Sequence, residues 1–218
     1  MTAQLKGAVA VGARRLVRAQ RRLADPTGVA LTFDDGPDAD FTPPILDVLA
    51  ADGAQATFFL VGRRAARHPA LVRRILAEGH VLGSHSLTHP DLWRVSTGEL
   101  LRELHAGRRA VERAALACVD RFRPPKGHLD VRTAGAIRVC GLRPWLWTVD
   151  PEDWRAETTA GRIVEAVGRP RGGDVLLLHD GLEQPGDPAA LDRSATVAAL
   201  PAVLAAIRDA GLEPRPLP

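Results

Sequence analysis

An α/β fold built on a parallel sheet follows from three features of this 218-residue sequence. Short apolar runs alternate with helix-period segments roughly seven times, joined by short connections. Residues 56–61, apart from Thr57, and 175–178 are apolar on both parities, as strands covered on both faces require. No internal repeat, low-complexity tract or interdomain linker interrupts the alternation, and 45% hydrophobic with 25% charged residues is the composition of a globular domain with a sizeable core.

In chain order, residues 3–23 read as one amphipathic helix, with Leu5, Val9, Leu16 and Leu23 on one face. Residues 1–24 carry Lys6, Arg14, Arg15, Arg18, Arg21 and Arg22 and no acid, a charge of +6, which leaves −3 on residues 25–218 (23 basic, 26 acidic). The chain therefore divides into a basic N-terminal helix, 1–24, and a main domain, 25–218. The helix is expected to pack across the outside of that domain; the alternative is a basic membrane-surface or substrate-approach element. A main domain without basic excess argues against nucleic acid as a partner. The weakly apolar run at 7–13 is too short to span a bilayer and makes a poor signal peptide, so a cytoplasmic protein is expected; a monomer is expected as well. Cys118 and Cys140 lie in apolar stretches and read as buried thiols rather than a disulfide.

The apolar run 29–31 enters Thr32-Phe33-Asp34-Asp35-Gly36-Pro37, where Gly-Pro stops a buried strand at once. Thr42 is suited to N-cap the next helix and Pro43 to its first turn; Ile45, Leu46, Val48 and Leu49 form its buried face and Asp52-Gly53 close it. A strand at 56–61, a helix at 69–78 and a strand at 81–83 follow. Ser96 or Thr97 caps a long helix over 97–117, with Glu99 in its first turn. Short strands at 121–123 and 141–147 flank a helix at 131–140, and helices at 158–167 and 195–210 flank the strand 175–178. His68 and His80 read as turn residues and His105 as a surface residue. Ligands of such a sheet bind at the carboxyl ends of the strands, where Asp34, Asp35 and His85 fall.

Two adjacent carboxylates at a strand end repel unless a cation lies beside them. His85-Ser86-Leu87-Thr88-His89 supplies two imidazoles four positions apart, on one face if the segment is helical. Two histidines and a carboxylate are a common zinc shell with a position left for water. Taken alone, such a pair is more often surface or core histidines; the Asp-Asp-Gly-Pro motif upstream changes that balance.

Together, T-F-D-D-G-P and H-S-L-T-H resemble the polysaccharide deacetylase family, carbohydrate esterase family 4, including the chitooligosaccharide deacetylases. Arg123-Pro124-Pro125-Lys126-Gly127, Asp150-Pro151-Glu152-Asp153-Trp154 and Leu176-Leu177-Leu178-His179-Asp180 match its later motifs, so the resemblance spans residues 29–180. It implies a distorted, incomplete (β/α) barrel, which pattern alone does not separate from an open doubly wound sheet. It also implies a divalent metal, zinc first with cobalt or nickel as alternatives, on Asp35, His85 and His89. By the same resemblance Asp34 is the base paired with Arg123, His179 the acid beside Asp153, and the Lys126 N–H, after the rigid Pro125, an oxyanion donor. Trp154 and Leu177 would line the acetyl pocket, and Asp180 would cap the turn into Gly181. The family usually has an aromatic residue where this chain has Lys126; the backbone donor survives that change and the aromatic sugar platform does not. The alternative reading has Lys126 meeting an anionic group on the substrate. The implied activity is removal of N-acetyl groups from a carbohydrate containing N-acetylglucosamine. Alternatives on the same scaffold are a deformylase or other linear-amide hydrolase, or a non-catalytic carbohydrate-binding relative.

Overall fold

The computed structural model describes residues 19–183 and 185–218. Strands β1 (Gly28–Asp34), β2 (Thr57–Leu60), β3 (Val81–Ser84), β4 (Arg121–Phe122), β5 (Arg143–Pro144), β6 (Val175–His179) and β7 (Glu213–Arg215) form one sheet in the order β5-β4-β3-β2-β1-β6, with β7 also on β1. Every pairing is parallel. The crossovers carry helices α1 (Thr42–Asp52), α2 (Gly62–Arg67), α3 (Pro69–Ala77), α4 (Thr97–Ala115), α5 (Val131–Val139), α6 (Ala160–Val167) and α7 (Ser194–Asp209).

The two ends of the sheet do not meet strand to strand. Past β5 the chain makes one parallel bridge, Val149 to Leu176 of β6, and Trp145 takes another from Gln20. The result is an incomplete parallel barrel with helices around it, and a cleft where closure fails.

Side-chain alternation sorts this barrel into two environments. Leu31 and Phe33 of β1, Phe58 of β2 and Leu176 and Leu178 of β6 point outward into a core shared with Ile45, Leu49, Ile163 and Leu204 from the helices. Each such side chain, once buried, contributes about 1.5–3 kcal/mol. The opposite parity, Ala30, Phe59 and Val175 with Trp145 and Leu217, fills the barrel interior. Asp34 and His179 belong to this inward set and are register partners across β1 and β6. Alternation therefore delivers both polar side chains to the same mouth of the barrel.

Several expectations need correction. Residues 19–24 are not helical, and Gln20 instead joins Trp145 in a bridge; residues 1–18 lie outside the described part. Thr42 does not cap α1: its hydroxyl accepts from the Asp38 N–H at 2.8 Å and donates to Asp180 at 2.5 Å. The strand expected over 141–147 is reduced to two residues, because the chain turns inward at Trp145 to fill the barrel. The short helix α2 and the strand β7 were unanticipated. Cys118 is exposed and Cys140 half-buried, both as free thiols, because the turn after α4 carries Cys118 to the surface. His80 is buried, its Nδ1 accepting from the Ala56 N–H at 3.2 Å.

Candidate active site

Asp34 ends β1 and Asp35 follows it in the left-handed region at φ 70°, so the two carboxylates diverge instead of alternating. The Asp35 Oδ2 accepts from the Glu183 N–H at 3.0 Å. Its Oδ1 is buried without a conventional hydrogen bond and lies 3.3 Å from Nε2 of His85 and 3.3 Å from Nε2 of His89. The three ligand atoms lie within 4.8 Å of one another.

The two imidazoles do not share a helical face. They sit on a loop leaving β3, in which Ser86 and His89 adopt φ 66° and 60°. That backbone folds the loop back, bringing the ring centroids to 4.9 Å. The His85 Nδ1–H donates to the Arg123 carbonyl at 2.7 Å, which leaves Nε2 free to ligate.

The electrostatics fit a divalent cation. Burial drives the His89 imidazole down to about 4, so its lone pair is available at neutral pH. Burial would also push the Asp35 carboxyl up, but the surrounding imidazoles outweigh it and hold the carboxyl below its ordinary range. Burial lowers His85 as well, yet Asp34 and Asp35 prevail and raise it. An unpartnered carboxylate oxygen, two Nε2 atoms facing it and a neighbouring second carboxylate are the donor set and charge that a cation such as zinc requires.

Arg123 links this group to Asp34. Its Nη1 donates to Asp34 Oδ1 at 2.7 Å and to the Thr32 hydroxyl at 2.8 Å. The guanidinium is fully buried, 4.3 Å from the Phe59 ring centroid and 5.6 Å from that of Trp147. Asp34 Oδ2 remains 3.6 Å from His85 Nε2.

His179, at the end of β6, is held by Asp153 in a three-way clamp. The carboxylate meets the ring Nδ1 at 2.7 Å, and its Oδ2 accepts from the His179 N–H and the Thr196 hydroxyl, each at 2.8 Å. Burial would lower this imidazole, but Asp153 outweighs it and lifts it to about 9. Arg193, itself buried, donates to the Asp153 carbonyl.

Asp34, Asp35, His85, His89 and His179 line a cleft of about 700 Å³ together with Lys126, Trp147, Asp150, Trp154 and Leu177. All the expected metal and acid–base residues meet there. Pro125 is buried beside the cleft and begins the turn that sets Lys126 at φ 57°. Lys126 turns its Nζ to Asp91 at 2.7 Å, so its cation already has a partner. Asp180 does not cap a turn: it is fully buried between Thr42 and Gly36, where a Cβ would overlap its carboxylate.

The sequence profile of the polysaccharide deacetylase family matches residues 22–145. The chain is 34% identical to a chitooligosaccharide deacetylase of Azorhizobium caulinodans over 93% of its own length and 99% of the relative's. This chain belongs to the polysaccharide deacetylase family. A peptidoglycan-N-acetylglucosamine deacetylase of Bacillus cereus is 36% identical over 84% of this chain and 83% of that one. Among solved structures, a family 4 carbohydrate esterase from Streptomyces lividans in complex with acetate superposes with a TM-score of 0.78 at 31% identity, covering 88% of this chain and 93% of that one. The incomplete barrel is thus the family's fold, reached here with Lys126 at the cleft.

Glu183, Trp147, Arg193 and Thr196 were not anticipated from the sequence. They touch the site from segments with no motif of their own; Arg193 stands at the start of α7 and Thr196 lies in its first turn.

Proposed function

We propose that the protein is a metal-dependent hydrolase that removes N-acetyl groups from an oligo- or polysaccharide containing N-acetylglucosamine. The observation that carries this reading is the meeting, at one mouth of the barrel, of an arginine-held carboxylate, a three-atom ligand set and an aspartate-held imidazole. Asp35, His85 and His89 would hold the cation; their N,N,O set suits zinc, with cobalt and nickel as alternatives. When bound, it supplies Lewis acidity that polarises the acetyl carbonyl and acidifies water.

Asp34 has Oδ1 occupied by Arg123, so Oδ2 is the oxygen that takes a proton from the attacking water. The Lys126 N–H donates to the developing oxyanion, a contact worth about 2.7–4 kcal/mol in comparable sites. His179, with Nδ1 engaged by Asp153, offers the Nε2 proton to the departing amine. An amine must be protonated to leave, whereas an alkoxide from an ester needs this less. A separate acid that is held protonated at neutral pH therefore favours cleavage of a C–N bond over an O-acetyl ester. Trp154 and Leu177 wall the space for the acetyl methyl. The relatives' names, a chitooligosaccharide and a peptidoglycan-N-acetylglucosamine deacetylase, support the sugar class.

The test is acetate release from chito-oligosaccharides and peptidoglycan fragments, beside formate or acetate release from small amides. Turnover of the glycans is expected, and turnover confined to small amides would replace the substrate class. Asp34→Asn should retain zinc and lose on the order of 10²–10⁴-fold in rate. A fully active Asp34→Asn would remove it as the base.

A further inference from the structure

The loop carrying both imidazoles has no regular secondary structure to hold it, and two of its residues, Ser86 and His89, lie in the left-handed region at φ 66° and 60°. Such residues persist only where their surroundings over-determine them. On one side, the start of α2 fixes the loop's carbonyls: the Gly62 N–H donates to Ser86 at 2.9 Å and the Arg63 N–H to Leu87 at 3.0 Å. On the other side its N–H groups meet a single carboxylate, Glu103 of α4. Glu103 Oε2 accepts from the backbone N–H of Leu87 at 3.0 Å and of Thr88 at 2.9 Å, and Oε1 accepts the Thr88 hydroxyl at 3.0 Å. Glu103 is 4% exposed, and among the described residues no Lys, Arg or His forms an ion pair with it. A buried carboxylate is costly unless its lone pairs are used, and those of Glu103 are used on the segment between the two histidines. One turn further along α4, a Cβ on Gly107 would overlap the Ser86 backbone. The helix thus presses directly on the loop.

We propose that Glu103 is a positioning residue for the metal site. It clamps the Leu87–Thr88 peptide so that the His85 and His89 Nε2 atoms face Asp35 Oδ1 before any cation arrives. This rests on the proposed metal-binding reading of Asp35, His85 and His89. Loss of a merely structural carboxylate would lower resistance to unfolding and leave affinity for the cation untouched.

The experiment measures zinc affinity by competition with a chromogenic chelator, and the visible spectrum of the cobalt-substituted protein. Glu103→Ala should weaken zinc binding by about 10–100-fold, as loss of a group that orients ligands does, and should shift the cobalt bands. Glu103→Gln keeps a carbonyl acceptor for the two backbone N–H groups and should recover most of the affinity. Glu112→Gln is the control on the same helix, because its carboxylate bonds Arg108 and the Val119 N–H away from the loop; it should lower the melting temperature only. A folded Glu103→Ala with wild-type zinc affinity and an unchanged cobalt spectrum would overturn the proposal. Should Glu103→Ala not fold, Thr88→Val removes one of the three hydrogen bonds, and an unchanged affinity there overturns it equally. A wild-type protein that binds no divalent ion would overturn the metal-site reading along with this one, which separates the two failures.

Discussion

The most demanding prediction concerns the alkaline limit of activity. In Asp153→Asn the carboxylate that holds His179 at about 9 is gone, while the burial that pushes the imidazole down remains. The imidazole should fall to its ordinary value of about 6.5 or below. At pH 8 the protonated fraction then drops from about 0.9 to about 0.03, a loss of roughly 30-fold, equivalent to about 2 kcal/mol. At pH 6 a value of about 6.5 leaves the same fraction at about 0.76, so the variant should come much closer to the wild type in its acid supply than at pH 8. The sign is fixed by the direction of the shift. A histidine raised above its unfolded value contributes its stabilisation in full below about 6.5 and loses it as pH rises through about 9. The assay is kcat for acetate release against pH, with circular dichroism to confirm that Asn keeps the fold. A variant whose alkaline limb coincides with that of the wild type would refute the idea that Asp153 sets the charge of the acid. Loss by an equal factor at pH 6 and pH 8 would refute it as well, since that points to geometry alone.

Other expectations are simpler to check. Dialysis against a chelator should abolish acetate release and lower the melting temperature, and zinc at 100 times its Kd should restore about 2.7 kcal/mol, read by calorimetry. Asp180, lifted by burial to about 7, destabilises the folded state progressively as pH rises from 3.8 through about 7. Asp180→Asn should therefore gain stability over the wild type between pH 5 and pH 8, by up to about 4 kcal/mol, measured by urea unfolding at each pH. Phe33→Ala empties a fully buried site stacked on Phe58 at 5.0 Å and should cost about 3–5 kcal/mol in the same assay.

Much of the site was legible because its residues lie in short motifs at strand ends. An apolar run stopped by Asp-Asp-Gly-Pro, or a leucine strand ending in His179, locates a side chain at the mouth of a parallel sheet without coordinates. The His85–His89 pair was legible as a ligand pair but not in its conformation. The spacing fits a helical turn, and only the contacts of the loop with α2 and α4 hold Ser86 and His89 in the left-handed region instead. Lys126 shows the same division. Its departure from the family's aromatic residue is visible in the sequence, while its engagement by Asp91 depends on two loops meeting in space.

By itself, the sequence determined the α/β class and the strands and helices that carry the chemistry, and its motifs singled out the candidate ligand, base and acid residues. The class and the elements follow from local hydrophobic periodicity, and the candidate roles from motifs that resemble those of the family. The tertiary structure alone decided that the barrel stays open beside β5, that Asp180 is buried against Gly36, and that Glu103, Glu183, Arg193 and Thr196 support the site. A hydrogen bond such as that from Glu183 to Asp35 joins positions 148 residues apart. No local pattern encodes such a pairing, because each partner is chosen by the packing that brings the two segments together.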